Sequence, residues 1–315
     1  MVTTISNALV PVFFVMALGY FAGRKKIVDN LNVQSLNSVV MKFALPISLF
    51  VAMAQTPAKR LSASMSLGLV LTLGMFVTYA VTSLLNRRVF GKSPSETAVQ
   101  ALNVGFPNNA AIGLPLLGAV VGPEGSMSVS VALAAGSVFL VPLTLTVLEG
   151  QAENAGNISH LRRIARSFLR AIARPLVIGP LAGVILALTG NPLPKLVADS
   201  FNLLGQATAG IALFVTGLIL SSQPLNLNAN VALGVLLKNI VNPLVVLGFG
   251  VAFSLKPHEM GEAILLAAIP CGFFGVLTGL SYGVKSQDAN STLTLTTIAS
   301  SVTLAVVIIL TNGMK

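Results

Sequence analysis

The chain has very little charge. Asp, Glu, Lys and Arg together make up 9% of its 315 residues, against roughly 25% in an ordinary soluble domain. So sparse a charged surface excludes a water-soluble globular enzyme. The 54% apolar content excludes disorder, which needs low hydrophobicity. There is no tryptophan and only three tyrosines, so an aromatic cage for an organic cation has little to be built from. One cysteine, Cys271, excludes an internal disulfide and a cysteine-based metal cage. His160 and His258 fall in separate loops and form no cluster. No Ser/His, metal-ligand or paired-carboxylate constellation appears, so the sequence predicts neither an intramembrane enzyme nor a cofactor.

What is present is long apolar runs. They are continuous rather than alternating at period two, which argues against a β-barrel and predicts an all-α polytopic membrane protein. Ten windows qualify as transmembrane helices: 3–23, 34–54, 62–85, 96–120, 127–149, 173–190, 197–221, 229–254, 261–284 and 290–312. No charged segment precedes the first, which reads as a retained span rather than a cleaved signal.

The net charge is +10. In a soluble protein this would suggest nucleic acid, but no basic stripe is interleaved with aromatics, so no nucleic-acid partner is expected. The charge reads instead as cationic loops facing the cytoplasm and anionic lipid. Loops after odd-numbered windows carry twelve Lys and Arg, including Arg162, Arg163, Arg166, Arg170 and Arg174; the opposite side carries five. This predicts a multi-pass protein of the inner (plasma) membrane with a cytoplasmic central loop and both termini outside, in the periplasm.

The chain overlays on itself when shifted. Ile47-Ser48-Leu49-Phe50-Val51 matches Ile211-Ala212-Leu213-Phe214-Val215 at an offset of 164, and Pro107 matches Pro270 at 163. Windows one to five map onto six to ten. Five is odd, so the second copy enters the membrane from the other side. The expectation is two inverted five-helix repeats, 1–150 and 173–315, joined by a cytoplasmic linker, 151–172; inverted repeats are a known transporter architecture.

Helices four and nine are expected to be broken and to cross. Pro107 and Pro270 each remove a backbone donor in mid-span. Gly105, Gly272 and Gly275 loosen the same turns. Irregular backbone at this depth is tolerated only against protein or a water-filled cavity. Opposed half-helices would bring N–H groups together at Pro107–Asn109 and Cys271–Phe273, suited to an anion without a buried formal charge. The candidate substrate-binding residues are therefore Asn103, Gly105, Pro107, Asn108, Asn109, Pro270, Cys271, Gly272 and Phe273. Lys42 and Lys238 lie inside windows, where snorkelling and charge coupling compete as explanations. Acids, Glu262 and Asp288 among them, fall in loops or near window ends, which weighs against a proton relay through a buried carboxylate.

Leu45-Pro46 and Leu49-Phe50 after Asn37 and Lys42, Gly113-Leu114-Pro115 with Gly122-x-x-Gly125, and Lys238 with Pro243 together resemble the auxin efflux carrier family of membrane transporters. The short central loop resembles its prokaryotic branch, which includes malonate carriers. The resemblance implies a fold like that of bile acid:sodium symporters, with discontinuous helices four and nine in a transport domain that moves against helices one, two, six and seven, and homodimers. Plant members carry Asn-Pro-Asn at the crossing. Here Phe106-Pro107-Asn108 keeps the proline and the second asparagine, which retains the carboxylate logic but gives no sign of an indole pocket.

These observations predict a secondary transporter of small organic anions, mono- or dicarboxylates such as malonate, working by elevator-type alternating access in the lipid bilayer. The sequence leaves open whether H+, Na+ or no ion is coupled. The alternatives are a sodium-coupled organic anion symporter, an anion channel or a membrane sensor.

Overall fold

The computed structural model describes residues 2–28, 33–58, 64–151, 162, 165, 166, 169, 170, 172–191, 193–222 and 225–314. Most of the expected linker 151–172, together with Asp29, Lys59, Arg60, Glu153, His160 and Arg163, lies outside the described residues.

Among the described residues the fold is helical and has no β-strand. In chain order the helices are α1 (Val2–Arg24), α2 (Val33–Val39), α3 (Leu45–Ala54), α4 (Met65–Arg88), α5 (Pro94–Gly105), α6 (Leu114–Val120), α7 (Gly125–Ala135) and α8 (Val141–Gln151). They continue with α9 (Pro175–Leu188), α10 (Lys195–Ser221), α11 (Ala229–Leu236), α12 (Asn242–Ala252), α13 (Pro257–Ala268), α14 (Phe274–Ser281) and α15 (Gln287–Thr311). Helix falls in each of the ten apolar windows. Among the described residues, six runs are long and apolar enough to cross a membrane; Val40–Ala54, Asn109–Val120 and Val177–Leu188 are shorter apolar helices.

Four π-helical turns interrupt this pattern: Val40–Ala44, Asn109–Gly113, Gly136–Leu140 and Leu237–Val241. Each is followed by an α-helix whose second residue is proline, namely Pro46, Pro115, Pro142 and Pro243. Proline lacks the N–H for the i−4 carbonyl, and its ring crowds that oxygen. A wider turn just before it relieves the crowding and keeps the helix axis running, a common place for a π-bulge.

Packing is closest where glycine replaces a side chain. α1 lies along α10, and α9 lies along α3. A Cβ added at Gly19 would collide with the Phe214 carbonyl, and one at Gly183 with the Phe50 carbonyl. The second contact is the first with both partners shifted by 164 residues: 183 is 19 plus 164, and 214 is 50 plus 164. Small residues let helix backbones meet in a bilayer, where apolar burial alone gives no drive to associate.

Helix starts are set by side chains. Ser93 and Glu96 form a reciprocal capping box at α5, Asn228 caps α11 through the Val231 N–H, and Ser286 caps α15 through the Ala289 N–H. At one end of the bundle Arg170 pairs with Glu149, which also accepts from the Tyr282 hydroxyl at 3.3 Å.

Candidate functional site: the crossing of two broken helices

α5 ends at Gly105 and α13 at Ala268, each two residues before its proline, Pro107 or Pro270. The residue before each proline is pushed out of the helical region. Phe106 has φ −112° and ψ 99°, and Ile269 has φ −57° and ψ 139°. The two short extended stretches then pair with each other. Pro107 and Cys271 form an isolated antiparallel bridge. The Asn108 N–H donates to the Pro270 carbonyl at 2.9 Å, and the Gly272 N–H donates to the Phe106 carbonyl at 2.9 Å. A Cβ at Gly272 would meet the Pro107 carbonyl carbon at 3.4 Å and strike the Phe106 oxygen, so only glycine permits this approach.

In this antiparallel bridge Phe106 faces Gly272 and Asn108 faces Pro270, on either side of the Pro107–Cys271 pair.

The bridge uses N–H groups that the sequence had assigned to an anion. Besides Asn108 and Gly272, the Asn109 N–H goes to the Pro107 carbonyl at 2.7 Å and the Cys271 N–H to Thr296 Oγ1 at 3.3 Å. In a water-poor interior, backbone groups released by a break find protein partners first. The start of the second half of helix four is also a π turn, Asn109–Gly113, and not an α-helical N-terminus. Backbone dipoles at 107–109 and 271–272 are therefore not the free donors expected.

The Ala267 carbonyl, freed by the break, has two side-chain partners. In an unbroken helix the Ala267 carbonyl would accept from the Cys271 N–H. With that N–H on Thr296, the carbonyl accepts from Lys238 Nζ at 2.6 Å and from Asn242 Nδ2 at 3.1 Å. Lys238 is fully buried, with its ammonium at the negative end of α13. It does not snorkel. Lys42 is exposed, on a turn that packs against α9 and α10.

Asn103 serves the other break. Its Oδ1 accepts from the Val276 N–H at 3.0 Å, capping the first turn of α14, and its Nδ2 donates to the Ala289 carbonyl at 3.2 Å. Both ends of this amide are committed to protein. Gly105 packs against α4, where a Cβ would meet Tyr79 Cβ at 3.1 Å. Phe106 and Phe274 stack with centroids 4.9 Å apart, and Phe273 continues the stack at 5.3 Å.

Asn108 and Asn109 differ from all of these. Both are buried, at 1% and 0% exposure. Asn108 Oδ1 and both Asn109 side-chain atoms have no hydrogen-bond partner. A buried amide left unmade costs about 1–3 kcal/mol per group. Three such atoms on adjacent residues at a helix break mark a place prepared for something polar.

Other polar groups were not singled out by the sequence reading. Thr292, Thr296 and Ser300, four apart on α15, are fully buried, and Thr296 reaches the crossing through the Cys271 N–H; that spacing was a legible signal. Asn230 Nδ2 reaches Asn86 Oδ1 at 2.8 Å, Gln100 Oε1 at 3.2 Å and Asp288 Oδ2 at 3.1 Å, and Lys92 pairs with Asp288 at 2.6 Å. Glu262 and Asp288 sit near helix starts, as read from the sequence, but are 3% and 4% exposed. Glu262 bonds Ser128 and lies 3.3 Å from His258. No group of three or more potential metal ligands occurs among the described residues.

Comparison with known proteins places the chain among membrane transporters. The family described as membrane transport protein matches residues 4–308. The uncharacterized transporter YfdV of Escherichia coli (strain K12) is 27% identical over 309 residues, 96% of each chain. A Rhizobium meliloti (strain 1021) protein named "Putative malonate transporter" is 25% identical over 94% of this chain and 92% of its own. Auxin efflux carrier component 8 of Arabidopsis thaliana is 21% identical over 89% of this chain and 90% of its own.

Proposed function

The chain belongs to the membrane transport protein family and is a transporter rather than an enzyme, and from that premise we propose that it carries small organic anions, mono- or dicarboxylates of the malonate class, by secondary active transport. The observation that carries this reading is the set of unpartnered amide atoms of Asn108 and Asn109 at the crossing. Asn109 Nδ2 is a donor to a carboxylate oxygen. The two Oδ1 atoms accept from a substrate hydroxyl, a protonated carboxyl or a bound water. Asn103, Gly105, Gly272 and the Phe273–Phe274 stack hold the geometry, and Pro107, Pro270 and Cys271 form the pivot. Lys238 supplies the local positive charge. The malonate class is suggested by the Rhizobium relative's name and by the small, amide-lined setting.

The fold behind this proposal is ten spans in two inverted five-helix copies, 1–150 and 173–315, in the inner membrane with both termini outside. Its support is the constant shift of 164 at the Gly19–Phe214 and Gly183–Phe50 contacts and through the crossing. The helices carrying these glycine contacts, α1, α3, α9 and α10, form the scaffold of the proposed elevator; those around the crossing move. A homodimer through the scaffold belongs to the same reading.

The test is counterflow in liposomes. Purified protein in vesicles preloaded with malonate should accumulate external labelled malonate transiently, and unrelated anions such as chloride should not drive it. Saturable exchange with several small carboxylates supports the proposal. Conductive, non-saturating flux without counterflow rejects the carrier, and exchange driven only by cations rejects the anion.

A further inference from the structure

Away from the crossing, α12, α13 and α15 line an open groove of ≈ 520 Å³. Ile240, Pro243, Leu244, Leu247, Val302 and Val306 provide much of its wall, and no charged residue lines it. It faces lipid, since Leu244 is 59% exposed, Val302 67% and Leu310 67%. Hydrocarbon alone would fill such a groove without selectivity. Three wall residues, Asn239, Thr303 and Thr311, are polar, and one of them carries an unpaired acceptor. Asn239 is 5% exposed, and its Nδ2 is held by the Thr296 carbonyl at 3.2 Å and Thr303 Oγ1 at 3.1 Å. A carbonyl can only accept, so the amide orientation is fixed and Oδ1 is left as the acceptor, without a partner. In the bilayer interior little water is at hand to satisfy it.

We infer that this cavity is a binding site for a neutral, single-chain lipid amphiphile bearing a hydroxyl, with the chain in the groove and the hydroxyl donating to Asn239 Oδ1. The apolar wall sets the chain, the missing charge excludes an ionised head, and the lone acceptor demands a donor. The site is also linked to the crossing, because Thr296, which accepts from Asn239, is the residue whose hydroxyl accepts from the Cys271 N–H. It does not depend on the identity of the transported anion.

The experiment uses the full chain in lipid nanodiscs and two photoreactive probes of equal chain length, a long-chain primary alcohol and its methyl ether, which cannot donate. Cross-linked peptides are mapped by mass spectrometry. The alcohol should label 239–247 and 302–310 about 5-fold more than the ether, the factor for one net hydrogen bond of about 1 kcal/mol. The excess should vanish in Asn239→Leu, and both probes should lose these peptides in Val306→Trp, which fills the groove from its lipid side and leaves the amide intact. Equal labelling by alcohol and ether in the unmodified chain, or an excess that survives Asn239→Leu, overturns the site.

Discussion

Thr78 Oγ1 and Asn242 Oδ1 share a hydrogen bond of 3.0 Å, and the two residues stand 164 positions apart. That separation is the shift that also relates Pro107 to Cys271 across the bridge. In a pair of copies related by a two-fold axis, only residues close to the axis can touch their own counterparts. Two such self-contacts define a line through the molecule between α4, α12 and the crossing. In the proposed inverted repeat, such an axis would pass through the crossing, where Pro107 meets Cys271.

The unpartnered amides separate binding from stability. Asn109→Leu removes two unsatisfied buried atoms and keeps much of the volume. The purified variant should melt within a few degrees of the parent or above it, because the lost desolvation penalty of about 1–3 kcal/mol per group offsets imperfect packing. Malonate counterflow should fall at least about 10-fold, the effect of one charge-assisted hydrogen bond. A variant with parental transport would remove Asn109 from the site.

Lys238 should behave in the opposite way. Its ammonium takes a carbonyl that the helix break has orphaned. In Lys238→Met only Asn242 remains for that carbonyl. A loss of about 1.5–3 kcal/mol, the range for a hydrogen bond to a charged group, should appear as a lower melting temperature in detergent, with reduced transport. Lys238→Arg should not restore it, since a planar guanidinium does not fit a pocket built around one point donor. Unchanged melting in Lys238→Met would show that the bond contributes nothing net.

Much of this was legible beforehand, and the reasons differ by feature. Window ends were readable because apolar length and flanking Lys and Arg answer to bilayer thickness. The breaks at Pro107 and Pro270 were readable because proline chemistry is local. The fate of the freed groups was not, since it depends on what another helix brings. Thr296, Lys238 and Asn103 lie far along the chain from the groups they satisfy. Assigning backbone N–H groups at 108 and 272 to an anion failed for that reason: the two breaks are complementary to each other before any solute arrives. Lys42 and Lys238 looked alike as isolated cations in apolar windows, and only packing separates an exposed one from a buried one.

Cys271 offers a probe of motion. It is fully buried and sits opposite Pro107 in the bridge. A membrane-permeant maleimide should therefore react slowly with the resting protein and rapidly after denaturation. If the crossing opens to one side during transport, labelling should speed up under exchange conditions and slow when a saturating, non-transported carboxylate holds one state. A rate indifferent to every ligand would place the conformational change elsewhere.

The last prediction concerns the glycine contacts, whose partners exchange under the shift of 164. Gly19 and Gly183 each press on the carbonyl of the phenylalanine in the facing helix. Gly19→Val and Gly183→Val force apart α1 from α10 and α9 from α3, and neither has a flexible side chain opposite that could give way. Each should lower stability by about 1–3 kcal/mol, the usual range for overpacking, and on the proposed repeat the two losses should be of similar size. The sites lie on different helix pairs, so the double variant should lose close to the sum. Melting curves of the three variants decide it. Similar, additive losses support two equivalent copies of one contact, whereas a large effect at one glycine and none at the other would mean that the matching numbers do not reflect matching structure.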